Sequence, residues 1–283
     1  MEMYHNSLKY LQTDYIDYML LHSVGGGSDS MAEYEERYIN NGILDFLIKE
    51  REAGRIRNIG FSYHGDIRVF DRLLSEHDKY KWDFVQIQLN YLDWRYAKQI
   101  NESNTNAEYL YNELAKRNIP AIIMEPLLGG KLANPSPQVA KMLSDEKTPV
   151  EWAMDFLWNR EEVSLLLSGM GTMEQVQSNI DYADKAEVGM LTEENIDMLA
   201  KTKDVFDKMA LVPCTKCAYC MPCPFGLDIP KTFEAYNATA SLGTDRAKAI
   251  YAELNKGADQ CKKCKKCEKV CPQSIKISHT MTE

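Results

Sequence analysis

The sequence predicts a large α/β domain followed by a small, helical, cysteine-rich domain. Three observations predict this arrangement. Strand-like apolar runs alternate with helical stretches over residues 1–210, all eight cysteines fall in the last 70 residues, and the charge changes sign between the two parts. Residues 1–213 carry 22 basic and 35 acidic side chains, whereas residues 214–283 carry 11 basic and 7 acidic ones. We therefore expect domains over 1–210 and 211–283.

Composition excludes several classes of protein. Of the 283 residues, 45% are hydrophobic and 27% are charged, which is ordinary for a globular chain. No apolar run reaches about 18 residues, so no membrane-spanning helix is expected. The N-terminus lacks a basic stretch followed by an apolar core, so we expect no signal peptide and a cytoplasmic location. The net charge of −9 argues against nucleic-acid binding.

Five strands and six helices follow one another in the large domain. Short runs rich in β-branched and aromatic residues predict strands at 15–22, 57–62, 84–90, 121–127 and 163–168. Amphipathic stretches predict helices at 34–54, 67–75, 106–117, 150–159, 173–183 and 193–208. This order implies a parallel sheet with helices outside it, but alternation alone does not separate an open sheet from a barrel.

The eight cysteines of the small domain form two regularly spaced groups. They are Cys214, Cys217, Cys220, Cys223, Cys261, Cys264, Cys267 and Cys271. The first group reads C-x2-C-x2-C-x2-C-P and the second C-x2-C-x2-C-x3-C-P. A disulfide framework suits short secreted chains, and zinc sites usually show two separated C-x2-C units. The second group instead matches the bacterial ferredoxin run, so the spacing favours two [4Fe-4S] clusters.

In that ferredoxin run, the fourth cysteine of each group binds the other cluster. One cluster is therefore assigned to Cys214, Cys217, Cys220 and Cys271, and the other to Cys261, Cys264, Cys267 and Cys223. The shorter spacer before Cys223 leaves this crossed pairing open. The stretch 224–260 between the groups has a helical pattern and predicts two helices broken near Gly243.

Basic residues are dense beside the second cysteine group. They are Lys262, Lys263, Lys265, Lys266 and Lys269. They could form an ordinary solvated face. They could instead tune the cluster potential or dock an acidic protein that exchanges electrons.

Five segments of the large domain resemble the aldo/keto reductase family in order and spacing. They are SLKYLQTDYID with the following LLH, GRIRNIGFS, the Q-x-x-x-N run at 86–90, MEPL followed by GG, and SGMGT with the helix after it. The cysteine tail resembles a branch of the family with a C-terminal 4Fe-4S domain. The resemblance implies a (β/α)8 barrel with NAD(P)H across its C-terminal strand ends, plus a helical dicluster ferredoxin-like domain.

The resemblance also implies roles for individual residues. His22 matches the active-site histidine that orients and polarises a substrate carbonyl, although a lone histidine ending an apolar strand is more often structural. Ser62 and Gln86 match residues that bind the nicotinamide amide, and Tyr63 stands where an asparagine is usual. Met124 occupies the place where many members stack a tyrosine on the nicotinamide.

The adenosine-phosphate region of the cofactor corresponds to Gly169, Thr172, Gln175 and Asn179. Gln175 stands where an arginine is common, so the resemblance does not choose between NADH and NADPH. Gln86 and Asn90 have a simpler alternative, which is to satisfy the backbone of a loop.

The family's catalytic tetrad is Asp, Tyr, Lys and His, and only the histidine has a counterpart here. The other three come from strands before His22. This chain matches strands four to eight, so no proton donor can be assigned. We therefore expect a fragment of a longer barrel, or the product of a misplaced start codon.

The predicted function is NAD(P)H-dependent reduction of a carbonyl or activated double bond of a small molecule. Two [4Fe-4S] clusters are expected to move electrons, and a redox partner protein is expected to exchange them. The alternative is a non-reductase iron–sulfur electron-transfer or scaffold protein with an incomplete barrel.

Overall fold

The computed structural model of the chain describes residues 2–26, 30–94, 107–207, 211–241 and 243–282. The chain divides into two compact units, each described by itself. The first comprises Met1–Gln88, Ser103–Met124 and Glu162–Leu166, and the second comprises Leu89–Glu102, Glu125–Glu161 and Leu167–Glu283. The predicted helix ends at 106 and 208 and the predicted domain boundary at 210 lie outside the described residues.

The first unit is built on a five-stranded sheet with the order β1-β2-β3-β4-β5. The strands are β1 Ile16–Val24, β2 Ile56–Tyr63, β3 Phe84–Gln88, β4 Ala121–Met124 and β5 Val163–Leu166. All four neighbouring pairs are parallel, which confirms the predicted α/β class. Among the described residues, β1 and β5 form the two edges of this sheet. The assignment of these strands to positions four to eight of a barrel stays a prediction.

The described part of the first unit also contains six α-helices and one π-helical turn. They are α1 Glu2–Leu11, α2 Ser30–Tyr34, a π-helical turn Glu35–Asn40, α3 Ile43–Glu52, α4 Ile67–Ser75, α5 His77–Tyr80 and α6 Ala107–Ala115. Phe61 on β2 is fully buried, and its ring lies 5.3 Å from Trp82 and 6.4 Å from Phe70 on α4, measured between ring centroids. These edge-on aromatic contacts fix α4 against the sheet.

The prediction of one helix over 34–54 was wrong. The chain instead breaks at Gly42, whose φ of 72° lies in the left-handed region. The side-chain oxygen of Asn41 accepts a hydrogen bond of 3.0 Å from the backbone nitrogen of Ile43. An Asn-Gly pair favours such a turn, because both residues tolerate left-handed backbone and asparagine satisfies the backbone locally.

Three strands end earlier than the sequence predicts. β3 ends at Gln88, β4 at Met124 and β5 at Leu166, rather than at 90, 127 and 168. β4 stops because the next residue, Glu125, has a φ of 54°, which an extended strand does not allow. Apolar character continues past each strand end, so hydrophobicity alone overestimates the strand length.

The second unit is helical. Its helices are α7 Pro137–Ala140, α8 Pro149–Trp158, α9 Met173–Ala183, α10 Glu193–Asp207, α11 Ile229–Ser241, α12 Thr244–Ala252, a 3-10 turn Ala258–Gln260, α13 Lys266–Lys269 and α14 Ile277–Thr280. The two helices predicted between the cysteine groups are confirmed. Gly243, with a φ of 86°, lies at the break. No described helix has the length and apolarity that crossing a bilayer requires.

Candidate functional site

Four predicted site residues lie on strands of the first unit. In the β2–β3 register Ser62 lies opposite Gln86, and in the β3–β4 register Gln88 lies opposite Met124. Ser62 and Gln86 therefore occupy one level of the sheet. Met124 lies about one side-chain repeat nearer the carboxyl ends of the strands.

His22, the predicted catalytic residue, lies near the carboxyl end of β1 with an exposed side chain. Its carbonyl oxygen accepts a 2.7 Å hydrogen bond from the hydroxyl of Tyr38. This bond ties the backbone of β1 to the π-helical turn and leaves the imidazole open to solvent. The imidazole can therefore meet a bound molecule.

Ser62 is 1% exposed, and its hydroxyl is already engaged. The oxygen accepts a 2.8 Å hydrogen bond from the backbone nitrogen of Ser23 and donates across 3.5 Å to the carbonyl of Leu21. These contacts close the irregular register at the end of β1. A nicotinamide amide would have to share the hydroxyl with this backbone.

Sequence reasoning missed a second histidine at the same end of the sheet. His64 directly follows Tyr63, whose side chain is buried and donates to the carbonyl of Gly65. Burial, and secondarily the nearby His22, lowers the pKa of His64 to about 4. Its imidazole is therefore neutral at pH 7, when it can both donate and accept hydrogen bonds. The only signal in the sequence was its position just beyond a strand.

A cleft of about 440 Å³ opens in the second unit. Three of the four residues predicted to hold the adenosine-phosphate end of a cofactor line it, namely Gly169, Gln175 and Asn179. The fourth, Thr172, is the N-cap of α9. Other lining residues come from the loop after β4, including Gly129 and Gly130.

The loop before α9 is organised by side chains of that helix. The side-chain oxygen of Gln175 accepts hydrogen bonds from the backbone nitrogens of Gly171 (2.7 Å) and Thr172 (3.3 Å). The hydroxyl of Thr172 accepts in turn from the backbone nitrogen of Gln175 at 3.2 Å, which completes a capping box. Asn179 donates to the Ser168 hydroxyl at 2.9 Å. The helix end beside this cleft suits an anionic group such as a phosphate.

Asn90 satisfies loop backbone, as the simpler of the two alternatives proposed. Its side-chain oxygen accepts 3.0 Å hydrogen bonds from the backbone nitrogens of Leu92 and Asp93, and its amide nitrogen donates across 3.1 Å to the carbonyl of Glu125. Asn90 thus holds the start of the loop 125–131. Burial raises the pKa of the Glu125 carboxyl, and Asp93 adds to this effect.

The same loop contacts the first cysteine group. Gly129 has a φ of 61°, and a Cβ atom there would lie 2.1 Å from the carbonyl oxygen of Thr215. The loop backbone therefore packs directly on the residue that follows Cys214, and only glycine fits. Lys131, at the end of the loop, lies close enough to Cys214 and Glu125 to interact with them electrostatically.

The eight cysteines line two small cavities. One is lined by Cys214, Cys217, Cys220 and Cys271, and the other by Cys223, Cys261, Cys264 and Cys267. Each cavity thus combines three cysteines of one group with the last cysteine of the other. Apolar residues complete both walls, among them Ile229 and Ile277, which border the two cavities alike.

The two cysteine groups share a backbone pattern. The residues two and four positions after the first cysteine have left-handed φ angles in both groups. They are Lys216 (58°), Ala218 (62°), Lys263 (52°) and Lys265 (59°). Left-handed residues among right-handed neighbours turn successive N–H groups to one side and form concavities that bind anions, including iron–sulfur clusters. Non-glycine residues rarely adopt these angles without a structural need.

The eight thiols are available as metal ligands. All eight cysteines are free. Thiolates bound to one zinc ion at about 2.3 Å lie within about 4 Å of one another. Within the described ranges, no three His, Cys, Asp or Glu side chains form a group that could hold one metal ion. Burial and neighbouring thiols raise the pKa of Cys220 to about 12, so a thiolate there needs a positive metal centre.

Two family models match the chain. A family model described as the aldo/keto reductase family matches residues 1–203, and one described as a 4Fe-4S dicluster domain matches residues 210–275. No curated protein sequence matches the chain.

Several solved structures resemble the fold. The aldo-keto reductase AKR11C1 from Bacillus halodurans, in its holo form, is 20% identical with a TM-score of 0.55, over 71% of this chain and 65% of that one. The thermostable aldo-keto reductase Tm1743, solved with the inhibitor epalrestat, is 20% identical with a TM-score of 0.52, over 70% of this chain and 64% of that one. This chain therefore spans just under two thirds of the length of these relatives.

Proposed function

The chain belongs to the aldo/keto reductase family, and we propose that it is an NAD(P)H-dependent oxidoreductase with two [4Fe-4S] clusters. The observation that carries the iron–sulfur part is the pair of cavities, each lined by four cysteines. The repeated left-handed backbone supports it, because N–H groups converge where sulfide and thiolate charge must be stabilised. Eight free thiols suit a reducing compartment such as the cytoplasm.

In this proposal the crossed pairing holds. One cluster is bound by Cys214, Cys217, Cys220 and Cys271, and the other by Cys223, Cys261, Cys264 and Cys267. Loaded clusters accept and release single electrons. The protein then fixes their potentials through the surrounding charges and the degree of solvent exposure.

Two double variants test the pairing. Protein purified without oxygen should contain about eight iron atoms and eight sulfides per chain. In Cys217→Ala/Cys271→Ala both changes fall on one cluster, so about four irons should remain. In Cys217→Ala/Cys223→Ala each cluster loses a ligand, so both should be lost. The reverse pattern would contradict crossed pairing, and zinc without labile sulfide would overturn the cluster assignment.

For the reductase part, the cofactor supplies a hydride, and the residues of the chain bind and orient the cofactor and the substrate. We propose that Gly169, Thr172, Gln175 and Asn179 hold the phosphate end, with support from the cleft and the capped end of α9. Ser62 and Gln86 would hold the nicotinamide amide, and Met124 would pack on the ring. His22 would orient and polarise the carbonyl of the substrate. The substrate is a small carbonyl compound or one with an activated double bond.

Titration with NAD(P)H tests this part. Saturable quenching of the fluorescence of the four tryptophans is expected in the wild type. Gln175→Ala should weaken it, because the Gly171 and Thr172 nitrogens lose the side chain that orients them. Gln177→Ala on the same helix is the matched control, since the Gln177 amide donates to the Asp181 carboxylate rather than accepting from the loop backbone. Absence of saturable quenching in the wild type would contradict the proposal that this chain binds NAD(P)H.

One observation favours the second candidate, a non-reductase iron–sulfur electron-transfer or scaffold protein. The Ser62 hydroxyl is buried and bonded to β1 backbone, although a reductase would use it for the cofactor. For such a protein we expect about eight iron atoms per chain and no binding of NAD(P)H.

A redox partner protein completes the proposal. The lysines beside the second cysteine group are exposed, and so are Tyr219 (65%) and Val270 (50%). Exposed positive charge together with exposed apolar side chains suits an acidic electron-transfer partner. The double variant Lys263→Glu/Lys266→Glu reverses two of these charges. Its electron exchange with an acidic ferredoxin should be slower, and the rate, measured by stopped-flow, should no longer depend on salt. An unchanged rate and salt dependence would contradict docking at this face.

A further inference from the structure

We propose that the positive charge of Lys131 raises the reduction potential of the first cluster, the one assigned to Cys214, Cys217, Cys220 and Cys271. This inference rests on the proposed iron–sulfur function and adds a residue from outside the cysteine motifs. Lys131 belongs to the loop after β4, 83 positions before Cys214 in the sequence.

The position of Lys131 carries the inference. Gly129, two residues earlier, fits against the Thr215 carbonyl with no space for a side chain, so the loop backbone lies directly against the cysteine turn. Burial lowers the pKa of Lys131, and Cys214 and Glu125 lie close enough to its ammonium to oppose this effect. The ammonium also lies 6.0 Å from the centre of the Phe206 ring. Lys131 is half-buried, so water screens its charge less than that of a surface lysine.

The charge balance gives the direction of the effect. No ion pair or hydrogen bond joins the Lys131 side chain to another residue in the described part of the chain. A reduced cluster has one more negative charge than an oxidised one, and a nearby fixed cation stabilises the reduced form more. Lys131 should therefore make the first cluster easier to reduce.

Lys216 supplies a matched contrast. It follows Cys214 by two positions and is also a charged neighbour of that thiol. Its ammonium, however, forms a 3.0 Å ion pair with Glu234, and its side chain is 48% exposed. The same charge near the same cluster is thus partly neutralised and screened by solvent.

The test is a redox titration of the two clusters followed by electron paramagnetic resonance. We expect Lys131→Gln to move one of the two reduction waves to a more negative potential and to leave the other in place. Lys131→Arg should restore the wild-type value, because it keeps the charge. Lys216→Gln should shift the same wave less than Lys131→Gln does.

The outcomes separate the inference from the proposed function. Wild-type protein without iron and sulfide would overturn both. Full iron content in Lys131→Gln with both waves unmoved would overturn only the role of Lys131. If Lys131→Gln fails to load the first cluster, Lys131→Met and Lys131→Arg are compared. Loading by arginine with the wild-type potential supports the role, and equal loading and potential in all three variants overturns it.

Discussion

The cysteine turns and the strand ends of the sheet arrange their polar groups in opposite ways. In the cysteine turns, eight thiols face two cavities, and the backbone adopts left-handed angles at lysine and alanine positions. At the ends of β1 and β2, the Ser62 hydroxyl instead bonds to the backbone of β1. The thiols thus face space that a ligand can occupy, whereas the Ser62 hydroxyl is already satisfied by the chain.

Removal of iron should therefore have the largest effect, and only on the cysteine region. The buried cluster of apolar residues there packs partly on cysteines, including Cys220 and Cys267. We expect chelation to increase hydrogen exchange of residues 211–282 by on the order of 100-fold or more, since metal binding is coupled to folding. Exchange measured by mass spectrometry should leave β2 and β3 unchanged. Equal loss of protection in the sheet would contradict the contrast.

Gly129→Ala tests the loop that contacts the cysteine turn. The new Cβ would lie 2.1 Å from the Thr215 carbonyl oxygen, and the φ of 61° disfavours alanine. We expect a loss of about 2–4 kcal/mol in the free energy of unfolding, measured in urea. Gly130→Ala is the matched control, because its φ of 85° is also left-handed but no atom lies within 4 Å, so about 1–2 kcal/mol is expected. Equal losses in the two variants would show that the contact with Thr215 is unimportant.

His64 makes the strand ends sensitive to pH. Its pKa in the folded chain, about 4, lies below the ordinary 6.5 because of burial. Between pH 4 and pH 6.5, His64 binds a proton in the unfolded chain but not in the folded chain. The free energy of unfolding therefore keeps the full contribution of His64 above pH 6.5 and falls as the pH is lowered to 4. The loss is about 3 kcal/mol at most. His64→Gln should have a flatter profile of unfolding free energy over this window. Parallel profiles of variant and wild type would rule the contribution out.

The smallest effects concern Ser62 and Gln86, which lie opposite each other on β2 and β3. Ser62→Ala removes the acceptor of the Ser23 nitrogen and should lower the free energy of unfolding by about 1 kcal/mol. Gln86→Leu should change stability less and weaken NAD(P)H binding by about 10-fold, measured by fluorescence. If Ser62→Ala alone weakens binding without a loss of stability, its hydroxyl serves the cofactor rather than the backbone.

The sequence was most informative where spacing within one turn determines geometry. The cysteine groups and the helix break near Gly243 could be identified because each depends on a few neighbouring residues. The parallel sheet followed from the alternation of strands and helices. The break at Gly42 was missed because the apolar pattern continued through it, although the Asn41-Gly42 pair was a visible signal.

Residues whose roles depend on distant partners could not be identified in advance. Gly129 and Gly130 were identified only as part of a segment that resembles the family, and Lys131 was not singled out, because Thr215 is far away in sequence. His64 gave no pattern, because its lowered pKa arises from burial that only the fold creates. The burial of the Ser62 hydroxyl likewise depends on β1 lying beside β2.

Exposure differs among the cysteines, and this has a consequence for handling in air. Cys217 and Cys264, the second member of each group, are exposed, whereas the other six are partly buried. One corner of each loaded cluster would then reach the solvent at these two residues. An electron can leave by that corner, and dioxygen or peroxide can arrive there. We expect oxidative damage to begin at these two sulfurs, so the exposure of these two cysteines limits the lifetime of the protein in air.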